Sequence, residues 1–202
     1  MRLFALLFAA SLTIGCGGGT VTWTPSLEAQ SKQIMPTPQD DGRAVKLESV
    51  KNGRDIGGLA GMHAVVPTGR FFRSASTAHA TEQDKQTLLA RGVTTVIDLR
   101  TYWEVSVSPD ALAHDSRFHY ERESLFGFGL VDALTFAPSG TDYMNALGNH
   151  QGAFRNVFHA LAEASRGKGA VLYHCASGKD RTGIVTAMLL SLAGVERSVI
   201  VH

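Results

Sequence analysis

Cysteine is nearly absent: the 202 residues hold two, Cys16 and Cys175. A fold stapled by disulfides normally carries more, so this chain has to hold together on a hydrophobic core. Its 44% hydrophobic residues are enough for one domain. An excess of either charge is also missing, with 19 Lys and Arg against 18 Asp and Glu. No overall field therefore favours nucleic acid or a strongly acidic surface, and any anionic partner must be held by a local site. No internal repeat is visible.

The one marked apolar run lies at the start, where Arg2 is followed by Leu3, Phe4, Leu6, Leu7, Phe8 and Leu12. It is too short to span a bilayer comfortably and has the make-up of an export signal over residues 1–15. The run ends in Thr13-Ile14-Gly15-Cys16, which resembles a bacterial lipoprotein processing site, although Thr13 stands where that pattern usually has Leu. The expectation is an exported protein, either a cell-envelope lipoprotein with its lipid on Cys16 and so anchored to a membrane, or a cleaved and secreted one. With Cys16 acylated, Cys175 has no partner. A lone thiol in an oxidising compartment is either buried and inert or retained for its chemistry.

From Cys16 to Asp41 the glycines at 17 to 19 and Pro25, Pro36 and Pro38 punctuate a sequence without period, read as a flexible tether over residues 16–41. Residues 42–202 are expected to form the folded domain. Strands are predicted near Val45 to Val50, at Phe71 to Ser74, Val93 to Ile97, Phe118 to Glu121 and Ala170 to Tyr173. Thr81-Glu82-Gln83-Asp84 is a capping box opening a helix that Gly92 closes. Further helices are predicted from Gly152 to Ser165 and from Arg181 to Ala193, the second ended by Gly194. Phe126 to Gly140 reads as a mobile flap or a plain irregular connection. Strands alternating with helices imply an α/β fold, a central and mostly parallel sheet flanked by helices.

The chemistry concentrates in His174-Cys175-Ala176-Ser177-Gly178-Lys179-Asp180-Arg181-Thr182-Gly183, between a buried strand and a helix start. Successive N–H groups of a tight loop and the positive end of a helix make an anion site there. Gly178 permits the turn, and Arg181 adds a planar fork that matches two phosphate oxygens. Ala176, Ser177, Gly178, Lys179 and Thr182 are the expected substrate contacts. The same field favours the thiolate of Cys175, which would attack phosphorus and form a phosphocysteine that water hydrolyses, with no metal or other cofactor required. His174 is expected to orient the loop by hydrogen bonding, and Arg54-Asp55 either helps hold it or forms an ordinary turn salt bridge.

His-Cys, five residues and Arg-Thr resemble the signature of cysteine-dependent protein tyrosine phosphatases. The fuller His-Cys-x-x-Gly-Lys-Asp-Arg-Thr-Gly form is similar to the bacterial tyrosine/serine phosphatase branch. So are Asn52-x-Arg54-Asp55-Ile56-Gly57-Gly58, Phe72-Arg73-Ser74, Gly92-Val93-x-Thr95-Val96-Ile97-Asp98-Leu99-Arg100 and Glu104, in identity and order. The resemblance covers residues 45–202 and implies a tyrosine-phosphatase-like fold acting on phosphotyrosine, sometimes phosphoserine or phosphothreonine, and phosphoinositides. Members usually continue for some tens of helical residues past the position of His202, a departure that fits a fragment.

Three carboxyls compete for the role of general acid. The resemblance implies Asp180, inside the loop; typical tyrosine phosphatases place an Asp on a mobile loop ahead of the Cys, where Asp142 lies; Asp98 follows a strand and is otherwise a supporting partner of an Arg or of the loop. Lys179 is an extra phosphate contact, as lipid phosphatases would need, or a solvated loop lysine. The rival functions are an exported inositol-polyphosphate phosphatase and a module that captures phosphorylated ligands without turnover. Phosphorylated protein or phosphoinositide is the expected partner, not nucleic acid.

Overall fold

A computed structural model describes residues 42–125 and 140–201. The export signal, the tether with Cys16 and nearly all of the expected flap lie outside the described residues. Among the described residues five strands form one sheet: β1 (Arg54–Asp55), β2 (Phe71–Ser74), β3 (Val93–Asp98), β4 (His119–Arg122) and β5 (Ala170–His174). Their order is β1-β2-β5-β3-β4, parallel from β2 to β4, with β1 antiparallel at one edge. The helices are α1 (Glu82–Ala90), α2 (Tyr102–Val107), α3 (Gly140–Asn149), α4 (Gln151–Arg166), α5 (Asp180–Leu192) and α6 (Arg197–Ile200). None of them is long and apolar enough to cross a membrane.

Strand β5 is buried along its whole length, and its side chains divide by period 2 between two cores. Val171 and Tyr173 join Ile97, Phe154, Val157, Leu161 and Val185 on the face covered by α4 and α5. Ala170 and Leu172 join Phe72, Leu88, Leu112 and Phe118 on the face covered by α1. In β3 the register shifts between Val93 and Thr95, and this irregularity lets Val93 and Val96 reach the same core although they are three positions apart.

The stretch Val45 to Val50, expected as a strand, is not one. Its apolar alternation is present, but the N–H groups of Glu48 and Ser49 donate to the Asp84 carboxylate at 2.5 and 3.2 Å instead of to a neighbouring strand. The same carboxylate completes the capping box read at Thr81. Asp84 thus fastens an irregular segment and starts a helix at once.

Ser74, His174, Asp98 and Arg122 are in register at one end of the sheet. These are the carboxyl ends of the four parallel strands, where open α/β sheets hold their ligands. The segments after β2, β3 and β5, which supply most of the candidate site, leave the sheet there.

Candidate active site

Residues 175–179 turn directly from β5 into α5. Gly178 has φ +70°, and a side chain there would meet the Ala75 nitrogen and the Ser74 carbonyl at 2.6 Å, so only glycine fits. The loop carbonyls are held one by one. The carbonyl of Ala176 accepts from Ser76 N–H at 3.0 Å, that of Ser177 from Asn52 Nδ2 at 2.8 Å, and that of Gly178 from Arg73 Nη2 at 2.6 Å. The Cys175 carbonyl lies 3.3 Å from His174 Nδ1. In a trans peptide the C=O of one residue and the N–H of the next point in opposite directions. The N–H groups of Ser177, Gly178 and Lys179 therefore face away from the β1–β2 side that holds the carbonyls, and they meet no acceptor among the described residues.

Cys175 is a free thiol, 2% exposed, at the base of this loop. Arg181, in the first turn of α5, is 7% exposed. Its Nη1 and Nη2 donate to the two oxygens of Glu104 at 2.7 and 2.6 Å, and Nη1 also approaches the Leu99 carbonyl at 3.4 Å. That end-on pairing leaves the other edge of the guanidinium, Nε–H with the second Nη2 hydrogen, without an acceptor among the described residues. Burial opposes the charge of Arg181, but the Glu104 bond and the nearby Cys175, Glu104 and Asp98 charges outweigh it, and its pKa is raised. Burial likewise pushes the Glu104 carboxyl up, and the bonds from Arg181 and the Thr101 backbone bring it down to about 2.

Beneath the loop lies a buried ionic network. Asp98 accepts from Arg100 Nε, Arg100 Nη2 and the Tyr120 hydroxyl, and Arg100 Nη2 also reaches Asp110 at 2.9 Å. Asp98, Arg100, Asp110 and His174 are each at most 3% exposed. Burial disfavours the Asp98 charge, but His174 and Arg100 overcome it and its pKa is lowered. Asp98 is thus placed as a supporting partner, with neither oxygen left for a substrate. Asp98, Asp110 and His174 offer ligand atoms within 4.8 Å of one another, an arrangement a metal ion would use, but the Arg100 guanidinium already bridges the two carboxylates.

The remaining expected site residues fall as follows. Ala176, Ser177 and Lys179 are exposed at the loop rim, and the Lys179 ammonium makes no ion pair among the described residues. Asp180 is the first residue of α5 and half-buried. Thr182 is fully buried and its hydroxyl has no partner among the described residues. Asp142 belongs to α3, with its side chain outside the described residues. Of the two readings of Arg54-Asp55, the turn salt bridge does not form among the described residues, and Asp55 instead accepts from the N–H groups of Gly57 and Gly69 at 2.8 and 2.6 Å and so pins a turn. The loop is held instead by Asn52 and Arg73, to which no role had been assigned from sequence. Glu104 had a legible signal, since Thr101-x-x-Glu104 is a capping box that fixes the carboxylate which then takes Arg181. Asp110 and Thr77 carried no local signal at all.

A buried thiol, three consecutive loop N–H groups turned away from the held carbonyls and a half-engaged arginine lie together, an arrangement that suits a tetrahedral anion. The chain belongs to the tyrosine phosphatase family, whose model matches residues 45–202. It is 44% identical over 142 residues to a tyrosine-protein phosphatase of Nostoc commune, covering 68% of this chain and 48% of that protein. It is 28% identical over 186 residues to the triple specificity protein phosphatase PtpB of Mycobacterium tuberculosis, covering 77% of this chain and 66% of that one. The chain thus spans about half the length of the first of these relatives. The crystal structure of TpbA from P. aeruginosa aligns over 66% of each chain at 20% identity and a TM-score of 0.40, too distant to add to the assignment.

Proposed function

We propose that this chain hydrolyses phosphate monoesters through a phosphocysteine on Cys175, phosphotyrosine first among them and phosphoserine or phosphothreonine after it. The observation that carries the reading is the set of held carbonyls from Cys175 to Gly178, which leaves the loop N–H groups and the open edge of Arg181 for the oxygens of a phosphoryl group. The Cys175 sulfur forms a bond to phosphorus as the bond to the leaving oxygen breaks, and Asp180 gives that oxygen a proton. Water then attacks phosphorus, the S–P bond breaks and the proton returns to Asp180.

The relatives' names, tyrosine-protein phosphatase and triple specificity protein phosphatase, support phosphorylated side chains as substrates. Lys179, exposed at the rim and without an ion pair among the described residues, favours a second reading, that substrates with further phosphates such as phosphoinositides or inositol polyphosphates are also taken. Export, with lipid on Cys16, completes the proposal and rests on the apolar run and the Gly15-Cys16 junction. A mature chain that keeps Met1 and carries no lipid in a mass spectrum would remove that part.

The test compares wild type with Cys175→Ser on an aryl phosphate. Hydrolysis is expected to fall by about 10⁴-fold or more, the scale on which loss of a covalent nucleophile acts, with binding of the ester retained. Unchanged turnover in Cys175→Ser would overturn the reading. Retained binding with no turnover in wild type would leave the non-catalytic ligand module in its place.

A further inference from the structure

The ring of His174 has no exposed surface, and each of its nitrogens meets two oxygens. Nδ1 lies 3.3 Å from the Cys175 carbonyl and 3.8 Å from Asp98 Oδ1; Nε2 lies 3.2 Å from Thr77 Oγ1 and 3.5 Å from Asp110 Oδ2. Carbonyls and carboxylates only accept. The single hydroxyl hydrogen of Thr77 lies between the two Asp110 oxygens, each 2.8 Å from Oγ1, so Thr77 also meets the ring as an acceptor. Both ring nitrogens therefore face acceptors, and only a doubly protonated ring satisfies both. The charge count agrees, because Asp98 and Asp110 carry two negative charges and Arg100 supplies one positive.

We propose that Asp110, acting through Thr77, is a positioning residue for the nucleophile loop: it keeps His174 doubly protonated, so that Nδ1–H holds the Cys175 carbonyl and with it the start of the loop. Its purpose rests on the phosphatase reading. The groups facing the ring are Asp98 and Arg100 from the end of β3, Asp110 and Thr77 from the segments after α2 and β2, Tyr120 of β4 by way of Asp98, and Cys175 itself. Burial, and then the bond to Asp98, push the Tyr120 hydroxyl upward, so it stays a neutral donor. The other cation, Arg100, is already committed to both carboxylates. Removing the Asp110 charge leaves the second proton on the ring without its counterion.

The test reads the thiolate and not turnover. The full chain is alkylated with iodoacetamide at pH 6 and the peptide bearing Cys175 is followed by mass spectrometry, which separates it from Cys16. In Asp110→Asn, whose amide hydrogens oppose Nε2–H, and in Thr77→Val, the rate is expected to fall about tenfold, because the loop N–H groups that favour the thiolate are no longer held around the sulfur. Thr77→Ser should restore it. Folded Asp110→Asn and Thr77→Val chains that alkylate at the wild-type rate would overturn the proposal. Nitrogen-15 NMR of the wild-type ring at pH 7 decides the matter even where the variants do not fold. Protons on both nitrogens support the proposal, and a proton on one alone contradicts it. A chain that alkylates as expected but hydrolyses no phosphate ester would sink the phosphatase reading while leaving this one standing.

Discussion

Arg100 and Arg181 are both buried and both paired with carboxylates, yet they end in opposite conditions. Arg100 commits Nε, Nη1 and both Nη2 hydrogens to Asp98, the Ser108 carbonyl and Asp110. Arg181 commits one end to Glu104 and keeps a whole edge open. Satisfied donors hold a structure together, whereas a preorganised and unsatisfied edge is available to a ligand that brings its own acceptors. Arg100 belongs to the scaffold of the loop, and the proposed chemistry falls to Arg181.

That contrast is open to direct attack. Arg100→Met leaves the buried Asp98 and Asp110 without their common partner and should cost about 3–5 kcal/mol of stability, read by denaturant unfolding. A loss below about 1 kcal/mol would mean that the network is not under load. Arg181→Lys should leave stability nearly unchanged and lower kcat by about 10²–10³-fold, because a point charge cannot offer two parallel N–H groups. Unfolding of that variant, with activity per folded molecule intact, would reverse the roles of the two arginines. The smaller effect concerns the proton. Asp180→Asn should slow phosphotyrosine about 10²-fold and an activated aryl phosphate little, since a good leaving group hardly needs protonation. Leaving-group dependence appearing in Asp142→Asn instead would move the acid to α3.

The scaffold and the chemistry were not equally legible in the sequence. Helix α1 was readable at Thr81 and Asp84 because a capping box is a local pattern of four residues. The loop from His174 to Gly183 was readable for the same reason, since Cys175, Gly178 and Arg181 lie within seven consecutive residues. Helix α2 escaped although Thr101 and Glu104 form the same box: it is six residues long and buries none of them, so it has no apolar period. Val45 to Val50 misled because alternation signals a strand only where a neighbour accepts its hydrogen bonds, and Asp84, some 35 residues on, had taken them. Asp110 and Thr77 are 33 positions apart and meet only when β2 and the segment after α2 reach the same sheet end. Contacts of that span leave no trace in a window of sequence.

The proposed reaction requires a covalent bond at Cys175. Wild-type chain mixed with an activated aryl phosphate, quenched in acid within the first turnovers and mapped by mass spectrometry should carry one phosphoryl group on the peptide containing Cys175. Turnover with no phosphoryl group on that peptide, or with the group on a different residue, would contradict it.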